Sequence, residues 1–275
     1  MISIIICSAQ PTISDSLSRN IKETIGEVEF EIIVVDNSKH LFGICHAYNI
    51  GIKQAKYPYL CFMHTDIVFH TTNWGNMAIE GLEHKDVGML GVQGCCYFDE
   101  STSYWCRSGF RKAHIIQRKN NEYVRVHEED VPCSNDVVAL DGLWLFTRKS
   151  LFEHIRWDSK TFPYFHMYDH DICMQIIHAG LKLRILPDLW IEHQSWGNYD
   201  ELFFSQVGAF HEKWDDKLPI ATIPIDTSVE VLARKAALTE IRRLGKISAK
   251  SAKRLSLWTY KIATKLSLLL GKDIW

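Results

Sequence analysis

The sequence lacks the cysteine patterns that identify a zinc protein or a small disulfide-rich protein. Its 275 residues include 8 cysteines, but no two of them form a C-x-x-C pair. Cys95, Cys96, Cys106 and Cys133 match no usual spacing of zinc ligands. A chain of this length can bury a large core without disulfides. We therefore expect the cysteines to be reduced, and those inside apolar runs to be buried.

The chain also lacks a strong charge and a long apolar run. Its formal net charge is -2, which predicts no general attraction to nucleic acid. No stretch reaches the roughly 20 apolar residues that span a bilayer. The N-terminus carries neither the basic segment nor the apolar core of a signal peptide. These absences predict a soluble, cytoplasmic protein.

A third absence is the glycine-rich loop of many nucleotide-binding enzymes. The β-branched run at 2–7 is typical of a buried strand, and the loop at 8–12 contains no glycine and no basic residue. A dinucleotide oxidoreductase has G-x-G-x-x-G in this place. A nucleotidyltransferase needs a glycine-rich basic loop there to hold a triphosphate. The sequence therefore disfavours both classes.

The sequence does contain alternating apolar strands and amphipathic helices. Strand-like runs at 2–7, 31–35 and 59–63 are separated by helical patterns at 17–25 and 46–56. This order predicts an α/β domain with a mainly parallel sheet, whose ligands bind at the carboxyl ends of the strands. Further predicted elements are strands at 87–92, 137–147 and 182–186, a short helix at 149–154, and a helix at 169–179.

The tripeptide His64-Thr65-Asp66 follows the third predicted strand. Alternate side chains of an extended backbone point the same way, so His64 and Asp66 can face one pocket. Two such groups can hold a divalent cation that offsets the charge of a departing nucleoside diphosphate. The alternative is a turn at the end of the strand, in which Asp66 caps the next segment.

Three other polar positions lie beside predicted elements. Asp36 ends the second strand, where it either contacts a nucleotide's base or ribose or caps the Asp-Asn-Ser turn. Asp169 and Asp171 begin a helix. Capping and the helix dipole explain one acid at a helix start, and the second can act as a general base on an acceptor hydroxyl. His193 follows a strand-like run and is either structural or a metal ligand.

Taken in order, these segments resemble the family 2 glycosyltransferases, which have the GT-A fold. The resemblance covers roughly residues 1–200. It implies a Rossmann-like, mixed but mostly parallel sheet flanked by helices in residues 1–220, with a C-terminal helical extension in residues 221–275. The matching segments are 2–8, 31–38, 43–69, 139–148, 168–180 and His193.

The resemblance also implies an activity and the residues that perform it. The family transfers a sugar, with inversion, from a nucleotide-diphosphate donor (UDP- or GDP-linked) to a hydroxyl acceptor, here a glycan or a lipid-linked glycan of polysaccharide biosynthesis. A divalent cation, Mn²⁺ or Mg²⁺, would be bound by Asp66 and His193, and Asp169 would be the general base. The positions implied on the donor side are Ser8, Asp36, Asn49, His64, Thr65, Asp141, Gly142 and Trp144.

Two residues depart from the family's pattern. His64 replaces the first aspartate of the metal motif, and the resemblance makes it a third metal ligand, which favours manganese over magnesium. Tyr168 stands where the family has a glutamate before its base, so Asp169 and Asp171 are both candidates for the catalytic base. Asp169 is preferred because Asp171 lies deeper in the predicted helix. A catalytically lapsed protein that binds a nucleotide sugar or a glycan is the alternative function.

The C-terminal segment is basic and amphipathic. From Arg234 to Lys265 there are ten lysines or arginines and one acid. An apolar stripe at helical spacing either packs on the catalytic domain, dimerises with a partner chain, or lies on the inner face of a membrane. Trp144 and Trp196 either stack on a ligand or belong to the core. The stripe consists of Leu238, Ile241, Leu244, Leu255, Trp258, Ile262, Leu266 and Leu269.

Overall fold

A computed structural model describes residues 1–99, 110–119, 122–129, 134–195, 200–245 and 252–271. Within these residues the chain forms fifteen strands and seven helices. The strands are β1 Ile2–Ser8, β2 Phe30–Asp36, β3 Tyr59–Met63, β4 Ile67–Phe69, β5 Val87–Gly91, β6 Gln93–Cys95, β7 Tyr97–Phe98, β8 Arg111–Lys119, β9 Glu122–Glu129, β10 Asp136–Val137, β11 Ala139–Leu140, β12 Trp144–Arg148, β13 Lys182–Ile185, β14 Ile191–His193 and β15 Ile220–Ala221. The helices are α1 Asp15–Thr24, α2 Ile44–Gln54, α3 Trp74–Gly81, α4 Tyr168–His178, α5 Glu201–Trp214, α6 Thr227–Gly245 and α7 Ala252–Leu270.

The main sheet has seven strands in the order β10-β13-β5-β12-β3-β1-β2. Strand β1 is parallel to β2 and β3, and β13 is parallel to β5. Strand β12 lies antiparallel between β3 and β5, and β10 is antiparallel to β13. The sheet is therefore mixed, as predicted, with fewer parallel neighbours than the sequence pattern indicates.

Helices cover both faces of this sheet. The side chains of β1 point alternately to the two faces, so this strand contributes to the core on each side. Ile5 packs with α2 and α4 in one buried cluster, whereas Ile4 and Ile6 pack with α1 and α3 in another. Gly51 of α2 lies directly on β1, where an added Cβ would overlap the side chain of Ile5. The strand is apolar on both faces because each face is covered.

The predicted elements of the first 65 residues are confirmed. Helix α1 begins after Ser14, whose hydroxyl accepts a hydrogen bond from the backbone N–H of Leu17. The continuous strand predicted at 137–147 is wrong, because a turn at 141–143 separates β11 from β12. In that turn the Asp141 Oδ1 atom accepts a hydrogen bond from the Leu143 N–H at 2.8 Å.

A second sheet carries the residues at the carboxyl edge of the first. Its order is β11-β6-β8-β14-β4, with β9 paired to β8. Strand β14 runs antiparallel to β4 and places His193 opposite Ile67. Since β4 directly follows the His64-Thr65-Asp66 segment, this pairing brings His193 next to Asp66.

The C-terminal helices α6 and α7 pack on the α/β domain. Ala237 and Ile262 belong to the same buried cluster as Ile5, and Leu238 packs against it. The Arg234 guanidinium pairs with the buried Asp99 carboxylate at 2.6 Å. Among the described residues, no helix is long and apolar enough to cross a membrane. The predicted stripe residues whose side chains lie outside the described ones are Ile241, Leu244, Leu255 and Trp258.

Candidate active site

Three predicted metal ligands meet where β3 ends and β14 ends. The His64 Nδ1 atom lies 3.9 Å from Asp66 Oδ1, and the His193 Nε2 atom lies 3.5 Å from Asp66 Oδ2. The segment is a bend rather than the extended backbone we expected, yet its two ligand groups still converge. The Gln194 N–H donates to the Asp66 carbonyl at 3.0 Å, which fixes β14 beside the bend.

These three side chains form a ligand set that suits a divalent cation of intermediate hard–soft character. Their ligand atoms all lie within 4.8 Å of one another, and each side chain is half-buried. Two imidazole nitrogens and one carboxylate oxygen are typical ligands of transition metals such as manganese, iron or zinc. Magnesium and calcium prefer sites made of oxygen ligands only. The chain therefore has a possible His-Asp-His metal site.

The charges of the cluster reinforce one another. Burial opposes ionisation of Asp66, but hydrogen bonds from His193 and Ser195 and the nearby imidazoles hold its pKa well below the usual value. Burial likewise opposes protonation of His193, but the carboxylates of Asp66 and Asp141 raise its pKa above 6.5. Burial lowers the pKa of His64 in spite of the nearby Asp141 and Asp66 carboxylates. The preference for positive charge therefore belongs to the Asp66–His193 pair, where a cation can take the place of a proton.

Asp169 lies beside this cluster, at the start of α4. Its Oδ2 atom accepts a hydrogen bond from the Gly142 N–H at 3.1 Å, and Oδ1 accepts from the backbone N–H and the ring Nδ1 of His170, both at 2.9 Å. Burial alone would raise the pKa of Asp169, but His170 and these N–H groups lower it below the usual value. The side chain keeps 13% of its surface exposed, so an ionised carboxylate faces the site.

Asp141 joins the metal cluster to Asp169. It lies in the turn between β11 and β12, and its backbone N–H donates to the Gln93 carbonyl at 2.9 Å. Burial and the neighbouring Asp169 carboxylate raise the pKa of Asp141, while His193 and His64 act against this rise. Asp141 is thus close enough to Asp169, His64 and His193 for its ionisation to depend on all three.

Asp171, the other candidate base, belongs to a structural network. Its carboxylate accepts hydrogen bonds from Trp214 Nε1 at 2.9 Å and from Gln175 Nε2 at 2.7 Å. The Lys213 ammonium lies 2.7 Å from its Oδ1 atom, and only 1% of its side chain is exposed. One oxygen is thus held by Gln175 of the same helix and the other by Trp214 and Lys213 of α5, an arrangement that favours Asp169 as the base, and the role of Asp171 stays a prediction.

Two predicted donor-side residues lie elsewhere in the structure. Trp144 is wholly buried, stacked on Phe146 and edge-on to Trp74, so its ring has no surface for a ligand. The Asn49 amide donates to the Trp157 carbonyl at 2.7 Å and lines a separate cleft on the flank of α2. For Trp144 the core interpretation is correct, and for Asn49 the structure gives a role in packing.

The other donor-side predictions lie at the carboxyl edge of the sheet. Asp36 is exposed, and its Oδ1 atom accepts from the Ser38 N–H at 2.8 Å, so it caps the turn while facing solvent. Ser8 is buried and its Oγ atom accepts from the Gln10 N–H at 3.0 Å. Thr65 is exposed in the bend between His64 and Asp66. Contacts of these three with a donor stay predictions.

Two residues of the site were missed from the sequence. The Tyr168 hydroxyl lies 2.8 Å from His64 Nε2, and the buried His170 ring holds Asp169. In the sequence Tyr168 stands out only as a departure from the family's pattern, and nothing there indicates its partner 104 residues away. Trp196, Cys106 and Cys133 lie outside the described residues.

Comparisons with known proteins give the family and the fold. The model of a glycosyltransferase-like family matches residues 3–211. A crystal structure of GalNAc-T7 with UDP, GalNAc and Mn²⁺ resembles the fold with a TM-score of 0.56 and 14% identity over 90% of this chain. The present chain spans only 54% of that protein's chain. At this identity the likeness shows the fold alone, which is the predicted GT-A fold.

A second structure, that of A197 from STIV, has a TM-score of 0.42 and 13% identity, over 82% of this chain and 95% of that one. No curated protein sequence matches this chain.

Proposed function

This chain belongs to a glycosyltransferase-like family, and from that premise we propose that it is an inverting enzyme that moves a sugar from a UDP-linked donor to a hydroxyl acceptor. The observation that carries the proposal is the convergence of His64, Asp66 and His193 beside the ionised Asp169. The acceptor class we propose is a glycan hydroxyl, free or lipid-linked. UDP is favoured over GDP because the similar GT-A structure contains UDP.

The cation would be held by His64 Nδ1, His193 Nε2 and the Asp66 carboxylate. When bound, it supplies positive charge to the diphosphate of the donor and so stabilises the departing nucleotide. The two imidazoles favour Mn²⁺ over Mg²⁺, because nitrogen ligands bind manganese more tightly than magnesium. A cation held by these three side chains would place the diphosphate on the side of the site where Asp141 and Asp169 lie.

Asp169 acts as the general base. Its lowered pKa keeps the carboxylate ionised at neutral pH, and the Gly142 and His170 hydrogen bonds hold its orientation. It accepts the proton of the acceptor hydroxyl while that oxygen attacks the anomeric carbon from the face opposite the diphosphate. The bond from the anomeric carbon to the diphosphate oxygen breaks, its electron pair leaves with the UDP, and a single displacement inverts the configuration.

The test combines donor binding with turnover in two variants. We expect UDP and UDP-sugars to raise the melting temperature when Mn²⁺ is present and to lose this effect in EDTA. Asp66→Ala should abolish the Mn²⁺-dependent shift, because it removes the ligand between the two imidazoles. Asp169→Asn should keep the shift but lower kcat for UDP release about 10²- to 10⁴-fold, since only the base is lost.

Asp216→Asn is the matched control, because this carboxylate is 71% exposed and pairs with Lys217 on the surface. It should change neither binding nor turnover. Full turnover in Asp169→Asn would contradict the assignment of the base. Donor binding by the wild-type protein, with no UDP release across a panel of sugars and acceptors, would favour the lapsed nucleotide-sugar-binding protein instead.

A further inference from the structure

The first residue of α4 reaches across the site to a metal ligand. The Tyr168 side chain is 4% exposed, and its hydroxyl oxygen lies 2.8 Å from His64 Nε2. The other ring nitrogen of His64, Nδ1, faces Asp66 Oδ1 at 3.9 Å. His64 therefore presents one nitrogen to a neutral hydroxyl and the other to the cluster of metal ligands.

An imidazole can bind a cation only through a nitrogen that carries a lone pair. When one nitrogen is bound, the other carries the proton and donates it to a neighbouring acceptor. In this geometry the nitrogen that faces the cluster is Nδ1, so the proton belongs on Nε2. A hydroxyl oxygen can accept that proton because a tyrosine O–H is both a donor and an acceptor.

We propose that Tyr168 is a positioning residue of the cation site: its hydroxyl accepts the hydrogen bond of His64 Nε2–H and so directs the Nδ1 lone pair toward Asp66 and His193. The inference rests on the proposed function in that it takes the His-Asp-His cluster to be a cation site. Tyr168 itself does not touch the cation or the substrate.

The surroundings of Tyr168 fix its hydroxyl in this position. The ring packs against Tyr48 and Trp157, with centroid distances of 6.1 and 5.9 Å. Gly142 leaves the space that the hydroxyl occupies, because a Cβ at that residue would overlap the Tyr168 oxygen and the adjoining ring carbons. The same Gly142 donates its N–H to Asp169, so one glycine both makes room for the Tyr168 hydroxyl and holds the base.

A neutral hydroxyl also suits the site without a cation. The Tyr168 O–H can then rotate and donate to Nε2, while Nδ1–H points toward the Asp66 carboxylate. His64 can change tautomer without moving its ring, which leaves Nδ1 in place for the ion. A carboxylate in the position of Tyr168 accepts only, and would hold the proton on Nε2 permanently.

The experiment measures Mn²⁺ affinity directly, by electron paramagnetic resonance of free Mn²⁺ in the presence of saturating UDP. Tyr168→Phe removes one oxygen and should weaken Mn²⁺ binding about 10-fold or more, the usual effect of losing a hydrogen-bond partner of a metal ligand. In a His64→Ala background the same substitution should cause no further loss, because Tyr168 acts only through His64.

Tyr48→Phe is the matched control. Tyr48 is a fully buried neighbour whose hydroxyl has no hydrogen-bond partner among the described residues, so its removal should leave the Mn²⁺ affinity unchanged. Melting temperatures of all variants check that the fold is kept.

Wild-type affinity for Mn²⁺ in Tyr168→Phe would overturn the inference while leaving the cation site intact. Equal losses from Tyr168→Phe in the wild-type and His64→Ala backgrounds would also overturn it, since they indicate a general structural effect. If the wild-type protein binds no Mn²⁺ with or without UDP, the cation site and the role of Tyr168 both fail.

Discussion

At the residue scale, the environment of Asp169 sets the pH range in which it can accept a proton. The His170 ring is buried between Phe98 and Phe210, and its Nδ1 atom lies 2.9 Å from the Asp169 carboxylate. Burial acts to raise the pKa of Asp169, and His170 is the largest of the opposing influences that bring it below the usual value. The His170 ring is therefore the main influence that keeps the base ionised, with the backbone N–H groups of His170 and Gly142 acting in the same direction.

His170→Phe should move the acid limb of the rate profile to higher pH. Phenylalanine keeps the ring contacts but removes the N–H donor, so the pKa of Asp169 rises. The carboxylate is the active form above its pKa, so a raised pKa makes kcat fall sooner as the pH is lowered. The measurement is kcat from pH 8 downward at saturating Mn²⁺, since a bound cation keeps His64 and His193 deprotonated.

His178→Phe, at the other end of α4, supplies the comparison. Among the described residues His178 hydrogen-bonds only the Met174 carbonyl of its own helix, and its ring packs on Trp214. Its profile should coincide with that of the wild-type protein. Superimposable profiles for His170→Phe and the wild type would show that His170 does not control the base.

The residues that the sequence identifies and the ones it misses differ in a physical way. Asp66, Asp169 and His193 are ligand-type side chains beside a strand or a helix, so pattern and chain order suffice to select them. The choice between Asp169 and Asp171 depends on Lys213, which pairs with Asp171 only in the folded chain. The bond of Tyr168 to His64 likewise depends on tertiary packing and leaves no local pattern.

At the element scale, long periodic elements could be predicted and short ones could not. Strands β1, β2 and β3 and helices α1 and α2 agree with their apolar spacing to within a few residues. The sequence predicts one strand where the structure has β10, β11 and β12, because the apolar run at 137–147 continues through the turn at Asp141. Strands of two or three residues, such as β4, are defined by their partners across the sheet rather than by a pattern of their own.

Helices α4 and α5 are joined by one lysine between two acids. The Lys213 ammonium lies 2.8 Å from Asp158 and 2.7 Å from the buried Asp171. Lys213→Met leaves the Asp171 carboxylate without its counter-ion and should lower the free energy of unfolding by about 2–3 kcal/mol, below the cost of breaking a fully buried pair because 28% of Lys213 is exposed. Urea unfolding measures the difference.

Two further variants identify the cause of that loss. Asp171→Asn combined with Lys213→Met should recover part of the stability, because no buried charge then remains unpaired. Lys217→Met, a few residues along the chain and 47% exposed, should unfold like the wild-type protein. No recovery in the double variant would mean that Lys213 acts through the packing of its aliphatic chain instead.

At the scale of the whole molecule, the C-terminal helices share the core of the catalytic domain. The sequence predicts a boundary near residue 220, because the composition becomes basic and the pattern changes to helical spacing. Yet Ala233 packs with Tyr97 and Phe110, and Ile262 lies in the cluster that also contains α2 and α4. The change in composition near residue 220 therefore does not separate two packing units. The apolar face of α6 is covered by residues more than 100 positions earlier in the chain, among them Tyr97 and Phe110.

The pair Arg234–Asp99 should decide whether α6 and α7 stay docked. Asp99 is fully buried, accepts a hydrogen bond from the Tyr97 hydroxyl at 3.0 Å, and lies 2.6 Å from the Arg234 guanidinium. Arg234→Met removes the counter-ion of the buried Asp99 carboxylate and should lower the free energy of unfolding of this region by about 3–5 kcal/mol. Helices α6 and α7 should then open locally and exchange their amide hydrogens faster than the main sheet does. Adding Asp99→Asn should restore much of the protection, because a neutral amide has no charge to compensate.

Lys182→Met, which breaks an exposed pair with Asp86, should leave exchange unchanged. Uniform loss of protection throughout the chain in Arg234→Met would show instead that the helices and the catalytic domain unfold as one cooperative unit.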